Sequence, residues 1–401
     1  MRVLGTCLPG HGHFNPMLAV ARALADAGHE VAFATAADFC PRVEAAGFAA
    51  FPAGMSLAEQ VAEARRRFPE EDRLPGRARF EAFVPRMLAG VAAPSRADEL
   101  VAAVGRWEPD LLVHDETELA GPIAAAVAGI PWADQSVGIL RPLAMFRLAA
   151  ELLRPLWDRW AVDLGPLAGM FRHLYLDVCP PSLQSPEIDS IEVAHLVKNV
   201  DIPPAPGETL PQWLPELPDV PTVYVSLGTI FNRDVSVYGA ILDGLREQDL
   251  NVIVTVGNQN DPAALGPQPP NVHVERFIAQ ALLLPYCDLV VNQGGTAILP
   301  VLAYGLPLLV LPQSANQFHN ADALVAAGVA RRLLPTEVTP EAVGAEVGEL
   351  LADAAYRERG ARLAAEIEAM PGPHEGVSLL ERLARERRPI LRPAPSGSSV
   401  P

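Results

Sequence analysis

The order of apolar and turn residues in the first 35 positions constrains the fold more than any other feature of this chain. Residues 3–8 form an apolar run of strand length, and a turn rich in glycine and histidine follows it. Asn15 can then cap a helix whose first residue is Pro16, and Gly28 can end that helix. A second strand is predicted over residues 31–35. This βαβ unit predicts a parallel sheet covered by helices.

Alternation of strands and helices continues through the first half of the chain. Strands are predicted over residues 111–113 and 132–134, with a helix over 121–128 between them. Residues 80–100 and 140–176 are predicted to be helical, and both are apolar with aromatic insertions. These two segments either line a cleft for an apolar ligand or form ordinary core helices, and the sequence favours neither alternative.

A proline-rich linker over residues 203–221 separates this half from a second alternating pattern. The strands predicted there cover residues 222–227, 252–256, 272–275, 289–291 and 308–311. We therefore expect an α/β protein with two doubly wound Rossmann-like domains, residues 1–202 and 222–372, facing each other across a cleft. A last helix over residues 373–388 is expected to pack back on the first domain, and the tail 389–401 is expected to be disordered.

Composition excludes two classes of partner. The 401-residue chain carries a formal net charge of −17, so it offers no basic surface for nucleic acid or for an anionic membrane. The apolar run at the N-terminus ends at Pro9, too early for a signal peptide, so a cytoplasmic location is expected. The sequence leaves the oligomeric state open, a homodimer included. The widely spaced cysteines are expected to be reduced and buried: Cys7, Cys40, Cys179 and Cys287.

Two motifs that follow predicted strands of the first half are able to supply acid–base chemistry. The run GHGHFNP at residues 10–16 places histidines in a turn, where an imidazole can accept a proton from a hydroxyl near neutral pH. The run PDLLVHD at residues 109–115 places Asp115 just past a strand, at the same sheet edge. Its carboxylate can bind one imidazole nitrogen, fix the tautomer and stabilise the imidazolium. The alternatives are an exposed histidine without a role and an aspartate that only caps a helix.

Three motifs of the second half are typical of a site for phosphates and a sugar. A strand runs into the small-residue turn SLGT at residues 226–229, and a later strand runs into QGGT at residues 293–296. Backbone N–H groups at such a turn and at the following helix N-terminus can bind a diphosphate. The run QSANQ at residues 313–317 places two amide side chains in a loop, where they can hydrogen-bond several sugar hydroxyls.

In their order and spacing, these motifs resemble those of the bacterial antibiotic and macrolide glycosyltransferases, relatives of the UDP-glycosyltransferases with the GT-B fold. The resemblance covers nearly the whole chain, including DVCPPSL at residues 177–183 and FIAQ at residues 277–280. It implies that His13 is the general base, with His11 a weaker candidate, and that Asp115 is the acidic partner of the base.

The same resemblance implies that the second domain binds the nucleotide sugar. An aromatic side chain would stack on the nucleotide base, the next residue would offer backbone hydrogen bonds to the base edge, and small residues would meet the phosphates. The residues implied are Phe277, Ile278 and Gln280 for the base, Ser226, Gly228, Thr229, Gln293, Gly294, Gly295 and Thr296 for the phosphates, and Asn316 and Gln317 for the sugar.

The chain departs from the family pattern in two places. Gln293 stands where the family usually has histidine, and the segment from residue 293 to 305 is one residue shorter than the common pattern. A glutamine can donate a hydrogen bond to phosphate but cannot carry positive charge. Asn316 stands where many relatives have aspartate, which removes a negative charge facing the sugar. These departures bear on the identity of the donor more than on the fold.

The reaction implied by the resemblance is an inverting, metal-independent glycosyl transfer in antibiotic biosynthesis. The donor would be a dTDP- or UDP-linked sugar or deoxysugar, a co-substrate rather than a cofactor, and the acceptor a hydroxyl of a polyketide, macrolide or aromatic aglycone. No Asp-x-Asp triplet stands at a suitable place, and the histidines are scattered, so no metal site is expected.

Three alternatives to a transferase remain open at this point. Gln293 motivates a catalytically weak relative that acts as a partner or activator of another glycosyltransferase. A sugar-nucleotide epimerase on the same fold is a second alternative, because fold alone does not fix chemistry. A nicotinamide-dependent oxidoreductase is disfavoured, since the first glycine-rich turn lacks the G-x-G-x-x-G spacing.

Overall fold

The structure, a computed structural model, describes residues 1–199, 207–228, 235–257 and 260–393. The chain divides into two compact units, each built on its own parallel sheet. Thr229 lies outside the described residues, as do parts of the predicted linker and tail. None of the described helices is long and apolar enough to cross a membrane.

The first unit consists of Met1–Cys179, Gln184–Asn199 and Met370–Pro401. In its described part, seven parallel strands form one sheet in the order β3-β2-β1-β4-β5-β6-β7. The strands are β1 (Arg2–Thr6), β2 (Glu30–Thr35), β3 (Ala49–Pro52), β4 (Leu111–Asp115), β5 (Trp132–Gln135), β6 (Tyr175–Asp177) and β7 (Ala194–Leu196). The order reverses between β1 and β4, which is where ligands bind in open α/β sheets.

Helices occupy most of the first unit between its strands. Those in chain order are α1 (His11–Asp26), α2 (Cys40–Ala45), α3 (Leu57–Arg67), α4 (Pro69–Asp72), α5 (Gly76–Met87), α6 (Ala93–Trp107), α7 (Gly121–Ala128) and α8 (Leu143–Trp160). A π-helical segment, Leu88–Ala92, joins α5 to α6, so the predicted helical stretch over 80–100 is confirmed. The predicted helix over 140–176 is wrong beyond Trp160, because Ala161 adopts a left-handed φ of 53° and turns rich in glycine follow.

The predicted start of α1 is also wrong. Gly10 is extended, with φ −170° and ψ 147°, and the helix begins at His11 rather than after Asn15. The run GHGHFNP therefore forms the first turns of a helix and not a loop. Pro16 is the sixth residue of α1, where it lacks the N–H that would bond to the carbonyl of Gly12. The consequence is that the histidines are held on a rigid element.

The second unit consists of Pro180–Leu183 and Val200–Ala369. Among its described residues, six parallel strands form a sheet in the order β10-β9-β8-β11-β12-β13, which reverses between β8 and β11. The strands are β8 (Thr222–Ser226), β9 (Asn251–Thr255), β10 (Val272–Glu275), β11 (Leu289–Asn292), β12 (Leu308–Val310) and β13 (Ala330–Arg332). The helices are α9 (Val235–Leu245), α10 (Gln280–Leu283), α11 (Ile298–Ala303), α12 (Gln317–Ala326), α13 (Pro340–Ala352) and α14 (Ala354–Ala369).

The last helix, α15 (Pro373–Glu386), belongs to the first unit and contributes to one of its hydrophobic cores. Alternate residues of a strand face opposite sides of a sheet, so Val3 joins α1 and α15 on one face while Leu4 joins α6, α7 and α8 on the other. The buried side chains Leu380 and Leu383 of α15 lie in the same cluster as Val3. The helices that follow β1 and β4 thus cover opposite faces of the sheet.

Candidate active site

A histidine and an aspartate meet where the order of the first sheet reverses. His13 lies in the first turn of α1, directly after β1, and Asp115 is the last residue of β4. The imidazole Nδ1 is 3.3 Å from Oδ1 and 3.2 Å from Oδ2 of the carboxylate. The two residues come from positions 102 apart in sequence and meet because β1 and β4 are parallel neighbours.

Asp115 is fully buried and held by hydrogen-bond donors. Its Oδ2 accepts the backbone N–H of Leu8 at 3.0 Å, and its Oδ1 accepts the backbone N–H of Thr117 at 2.8 Å. The Thr117 hydroxyl also donates to Oδ1, at 2.5 Å. Burial by itself acts to raise the pKa of Asp115, but the facing His13 and the donated hydrogen bonds outweigh it and hold the pKa well below its ordinary value. The carboxylate is therefore ionised at neutral pH.

The second ring nitrogen of His13 is open. Its side chain is 21% exposed, and within the described part of the chain Nε2 makes no hydrogen bond. An ionised carboxylate beside Nδ1 favours the tautomer that carries its proton on Nδ1. That tautomer leaves a lone pair on Nε2, the atom able to accept a proton from an incoming hydroxyl.

The structure does not bring His11 to the same carboxylate. The ring of His11 packs edge-on against Phe39, with ring centroids 5.5 Å apart. Burial, with a smaller contribution from the charge of Arg42, lowers the pKa of His11. Of the two histidines in the first turn of α1, His13 alone contacts Asp115.

Sequence reasoning missed the buried polar groups that surround Asp115. His114 on the opposite face of β4 contacts Asp134 of β5, with 2.7 Å between Nε2 and Oδ1. Burial acts to lower the pKa of His114, but Asp134 outweighs this effect and raises it. The next residue, Glu116, pairs with Arg141 and accepts the hydroxyl of Tyr175 at 2.9 Å. Burial raises the pKa of Glu116, against the opposing charge of Arg141.

Glu118 fixes the turn that leads from β4 into α7. Its carboxylate accepts backbone N–H groups of Ala120 and Gly121, both at 2.9 Å, and the hydroxyl of Thr6 at 3.2 Å. The signal in the sequence was the run HDETE at residues 114–118, an acidic cluster inside apolar surroundings that buries all five side chains. Buried carboxylates need partners, so such a run predicts a hydrogen-bonded network.

In the second unit, the ends of β8 and β11 meet at the corresponding reversal of strand order. Ser226 ends β8, and Gly228 follows with φ 77°, a conformation that favours glycine. A Cβ at residue 228 would collide with Nε2 of Gln293, so the Gln293 amide lies directly against this turn. The described residues thus bring Ser226, Gly228 and Gln293 together.

The Gly294 N–H already has an acceptor within the second unit. That N–H donates to Oδ1 of Asn292 at 2.9 Å, and the Gly294 carbonyl accepts Nδ2 of Asn320 at 2.8 Å. The peptide is therefore held from both sides, in a conformation with φ 79°. The backbone N–H groups of Gly295 and Thr296 make no hydrogen bond to any residue that the structure describes.

The donors at this turn come from the loop rather than from a helix terminus. Helix α11 begins only at Ile298 and has 6 residues, so it contributes little dipole to the QGGT turn. The sequence expectation placed a helix N-terminus at this turn. In the structure Ala297 is the residue before the helix, so the QGGT turn ends one residue short of that position.

Phe277, Ile278 and Gln280 follow β10 at the same edge of the sheet. Phe277 is 52% exposed, which is unusual for so large an apolar side chain and suits a stacking surface. Ile278 buries its side chain, and neither of its backbone polar groups has a partner within the described ranges. Gln280 is the first residue of α10 and is half-buried.

Asn316 and Gln317 lie at the start of α12. Asn316 is the residue before the helix and does not cap it with its side chain. Gln317 is buried, and its Oε1 accepts the backbone N–H groups of Gln313 at 2.8 Å and Ser314 at 2.9 Å. Its carbonyl is therefore committed to the preceding loop, and only its Nε2 remains to donate to a ligand. Among the described residues, no group of three His, Cys, Asp or Glu side chains is arranged to hold a metal ion.

Both units match one protein family. Residues 22–228 match the N-terminal domain, and residues 239–383 the C-terminal domain, of the family described as erythromycin biosynthesis protein CIII-like. L-demethylnoviosyl transferase of Streptomyces niveus is 33% identical to this chain, over 97% of this chain and 99% of that protein. Tylactone mycaminosyltransferase of Streptomyces fradiae is 30% identical, over 98% of this chain and 95% of that protein.

A solved structure with a bound nucleotide is also similar. The glycosyltransferase SsfS6 of Streptomyces sp. SF2575, complexed with thymidine diphosphate, matches with a TM-score of 0.77 and 27% identity. The match covers 95% of this chain and 99% of that one. The similarity therefore extends along both units and is not confined to one of them.

Proposed function

The chain belongs to the erythromycin biosynthesis protein CIII-like family, has the GT-B fold and is a glycosyltransferase; from this premise we propose which reaction it catalyses and which residues take part. It transfers a sugar or deoxysugar from a dTDP- or UDP-linked donor to a hydroxyl of a hydrophobic natural product. The reaction inverts the anomeric configuration. His13 is the general base, and Asp115 is its acidic partner.

The observation that carries this proposal is the pairing of His13 with a buried, ionised Asp115 while Nε2 stays open. A general base must present an unprotonated nitrogen to the hydroxyl it activates. The pair lies at the carboxyl ends of β1 and β4, where the sheet order reverses and α/β proteins bind ligands. This arrangement argues against the catalytically weak relative as the alternative.

The site for the nucleotide sugar is proposed from the chemical groups at the carboxyl ends of the strands in the second unit. The exposed ring of Phe277 suits a nucleotide base, and the backbone of Ile278 suits the base edge. The N–H groups of Gly295 and Thr296 suit the phosphates, with Ser226, Gly228 and Gln293 beside this turn. Thr229, outside the described residues, is proposed to bind the phosphates as well. Asn316 and Nε2 of Gln317 are left for the sugar hydroxyls.

The chemical class of the substrates is proposed from the relatives. One relative carries thymidine diphosphate in its solved structure, which supports a dTDP-linked donor for this chain. The names of two others specify demethylnoviosyl and mycaminosyl groups, and one of them names tylactone as the acceptor. A hydroxyl on a polyketide, macrolide or aromatic aglycone is therefore the proposed acceptor.

The reaction is a single displacement. The acceptor oxygen forms a bond to the anomeric carbon while its proton moves to Nε2 of His13. The bond between the anomeric carbon and the diphosphate oxygen breaks, and the nucleoside diphosphate leaves with the electron pair. The developing imidazolium is stabilised by Asp115, and the charge on the leaving diphosphate is stabilised by loop N–H groups in the second unit.

The test compares His13→Ala with His11→Ala, a histidine in the same turn that packs on Phe39. Transfer from dTDP-glucose and UDP-glucose to a panel of phenolic and macrolactone acceptors is followed by mass spectrometry. Because a general base contributes about 10²- to 10⁴-fold, His13→Ala should lower turnover by that factor while dTDP affinity, measured by calorimetry, stays unchanged. Turnover close to that of the unmodified enzyme in His13→Ala would remove His13 from the role of base.

A further inference from the structure

We propose that Thr117 is a positioning residue that fixes the tautomer of His13, and that Asp115 acts on the imidazole partly through this hydroxyl. The proposal rests on the proposed role of His13. It adds a third group to the pair, one that lies outside the run PDLLVHD that predicted Asp115. Thr117 lies in the turn after β4, two residues beyond Asp115, and is 3% exposed.

The proton of the Thr117 hydroxyl is committed to Asp115. The backbone N–H and the hydroxyl of Thr117 both donate to the same carboxylate oxygen, Oδ1, at 2.8 and 2.5 Å. An ionised carboxylate only accepts, so the hydroxyl must be the donor in this contact. A hydroxyl has a single proton, and none is left for another partner.

The hydroxyl oxygen of Thr117 also lies 3.0 Å from Nδ1 of His13. Since its proton points at Asp115, this oxygen presents a lone pair to the imidazole and can only accept. Nδ1 must then carry the ring proton in neutral His13. The arrangement selects the tautomer whose lone pair is on Nε2, which is the nitrogen that the proposed reaction uses.

The distances show which acceptor is nearer to Nδ1. Thr117 Oγ1 is at 3.0 Å, whereas the Asp115 oxygens are at 3.2 and 3.3 Å. The hydroxyl therefore shares the Nδ1–H with the carboxylate and contributes to the orientation of the ring beside the charge-assisted contact. Thr117 is buried, and thus water has little access to replace the hydroxyl if it is removed.

The same geometry remains useful after proton transfer. When Nε2 has taken the proton of the acceptor, Nδ1–H still donates to Thr117 and Asp115, and the hydroxyl still donates to Oδ1. No proton moves from Nδ1 to Asp115. The imidazolium is stabilised in the arrangement that already exists, so little reorganisation is needed during the reaction.

The experiment uses the full chain with Thr117→Val, which removes the hydroxyl at similar volume, and Thr117→Ser, which keeps it. Thr222→Val is the matched control, because Thr222 is a buried threonine at the first residue of β8. Ring-¹⁵N-labelled histidine reports the tautomer by NMR without any substrate, and the signal lost in His13→Ala assigns the resonance among 9 histidines.

We expect His13 of the unmodified protein and of Thr117→Ser to carry the proton on Nδ1 near neutral pH. Thr117→Val should show a mixture of tautomers and a turnover roughly 10- to 100-fold lower, the range for losing a hydrogen bond to a charged system, with KM for the donor unchanged. Thr117→Ser should restore most of the turnover, and Thr222→Val should change neither quantity.

Two results would overturn the proposal. One is an Nε2–H tautomer of His13 in the unmodified protein, which needs no variant to fold. The other is a folded Thr117→Val protein with an unchanged tautomer and full turnover. Failure of the proposed function is distinct from both, since it shows as full activity in His13→Ala whatever the ring tautomer is.

Discussion

Replacing Asp115 by asparagine tests the electrostatic design of the first unit most directly. The aspartate accepts hydrogen bonds from the backbone N–H of Leu8, from the backbone and hydroxyl of Thr117, and from His13. All of these groups are donors, and asparagine offers one oxygen and one NH₂ in place of two acceptor oxygens. In either orientation, the NH₂ group of the asparagine therefore faces a group that is itself a hydrogen-bond donor.

The better orientation keeps the amide oxygen at the Oδ1 position. It preserves both contacts with Thr117 and places the NH₂ against the backbone N–H of Leu8, which was accepted at 3.0 Å. One buried N–H then has no acceptor, at a cost of about 1–3 kcal/mol, and the remaining hydrogen bonds lose their charge assistance. We expect Asp115→Asn to lower the free energy of unfolding by about 2–4 kcal/mol.

The effect on turnover follows from the tautomer of His13. In the better orientation the amide NH₂ takes the place of Oδ2, which lies 3.2 Å from Nδ1. An NH₂ donating to Nδ1 favours the ring proton on Nε2, where it blocks base catalysis, and it opposes the Thr117 hydroxyl, which still accepts from Nδ1–H in this orientation. Loss of the correct tautomer in a comparable histidine–aspartate pair costs about 10⁴-fold, so we expect turnover to fall by about 10³- to 10⁴-fold.

The measurement pairs steady-state turnover with urea unfolding followed by tryptophan fluorescence. Four of the five tryptophans report on the first unit: Trp107, Trp132, Trp157 and Trp160. Asp110→Asn is the matched control, since Asp110 is an exposed aspartate at the other end of β4 whose carboxylate accepts only the backbone N–H of Arg2 at 2.8 Å in the described structure. A loss of stability without a loss of turnover would refute the argument from tautomers.

Two further predictions concern the nucleotide and pH. Phe277→Ala should weaken dTDP binding, measured by calorimetry, by roughly 10- to 100-fold, because stacking of a base on an aromatic ring contributes about 1–3 kcal/mol. The control is Tyr304→Ala, which removes an aromatic side chain of similar exposure and should leave the affinity for dTDP unchanged. Burial raises the pKa of Asp177 from 3.8 to about 7. Between these two values the folded chain keeps a proton that the unfolded chain releases. The contribution of Asp177 to the free energy of unfolding is therefore fully present below pH 3.8 and is lost as pH rises through about 7. Asp177→Asn should flatten the dependence of the free energy of unfolding on pH between 3.8 and about 7. An unchanged slope would contradict the raised pKa of Asp177.

The meeting of His13 and Asp115 could be predicted from the sequence because parallel topology forces it. Strands β1 and β4 were recognisable as apolar runs, and the carboxyl ends of parallel neighbours lie at one sheet edge. A residue directly after each strand must then approach the other. No knowledge of side-chain packing is needed for that conclusion.

The start of α1 could not be predicted because packing overrides a favourable local signal. Asn15 and Pro16 form a good helix start, yet the helix begins five residues earlier, at His11. Starting at His11 lets Phe14 face the core, where its ring lies 5.1 Å from that of Phe33 and 5.8 Å from that of Phe39. Burying this aromatic side chain contributes more than the preference of proline for the first helical position.

The donors at the QGGT turn could not be ranked from sequence either. The N–H of Gly294 is used by Asn292, two residues away, and its carbonyl by Asn320, from α12. Nothing in the run of glycines distinguishes this N–H from the next two. Only the positions of these two asparagines show which of the backbone groups are already satisfied.

The division of chemistry between the two units has a common physical origin. In each sheet the candidate groups follow the two central strands at the point where the order reverses, His13 and Asp115 in one unit and Gly228 and Gln293 in the other. In the first unit, the helices that follow those strands pack on opposite faces of the sheet, which leaves its edge open between them. The first edge carries a titratable pair and the second carries neutral amides and loop N–H groups.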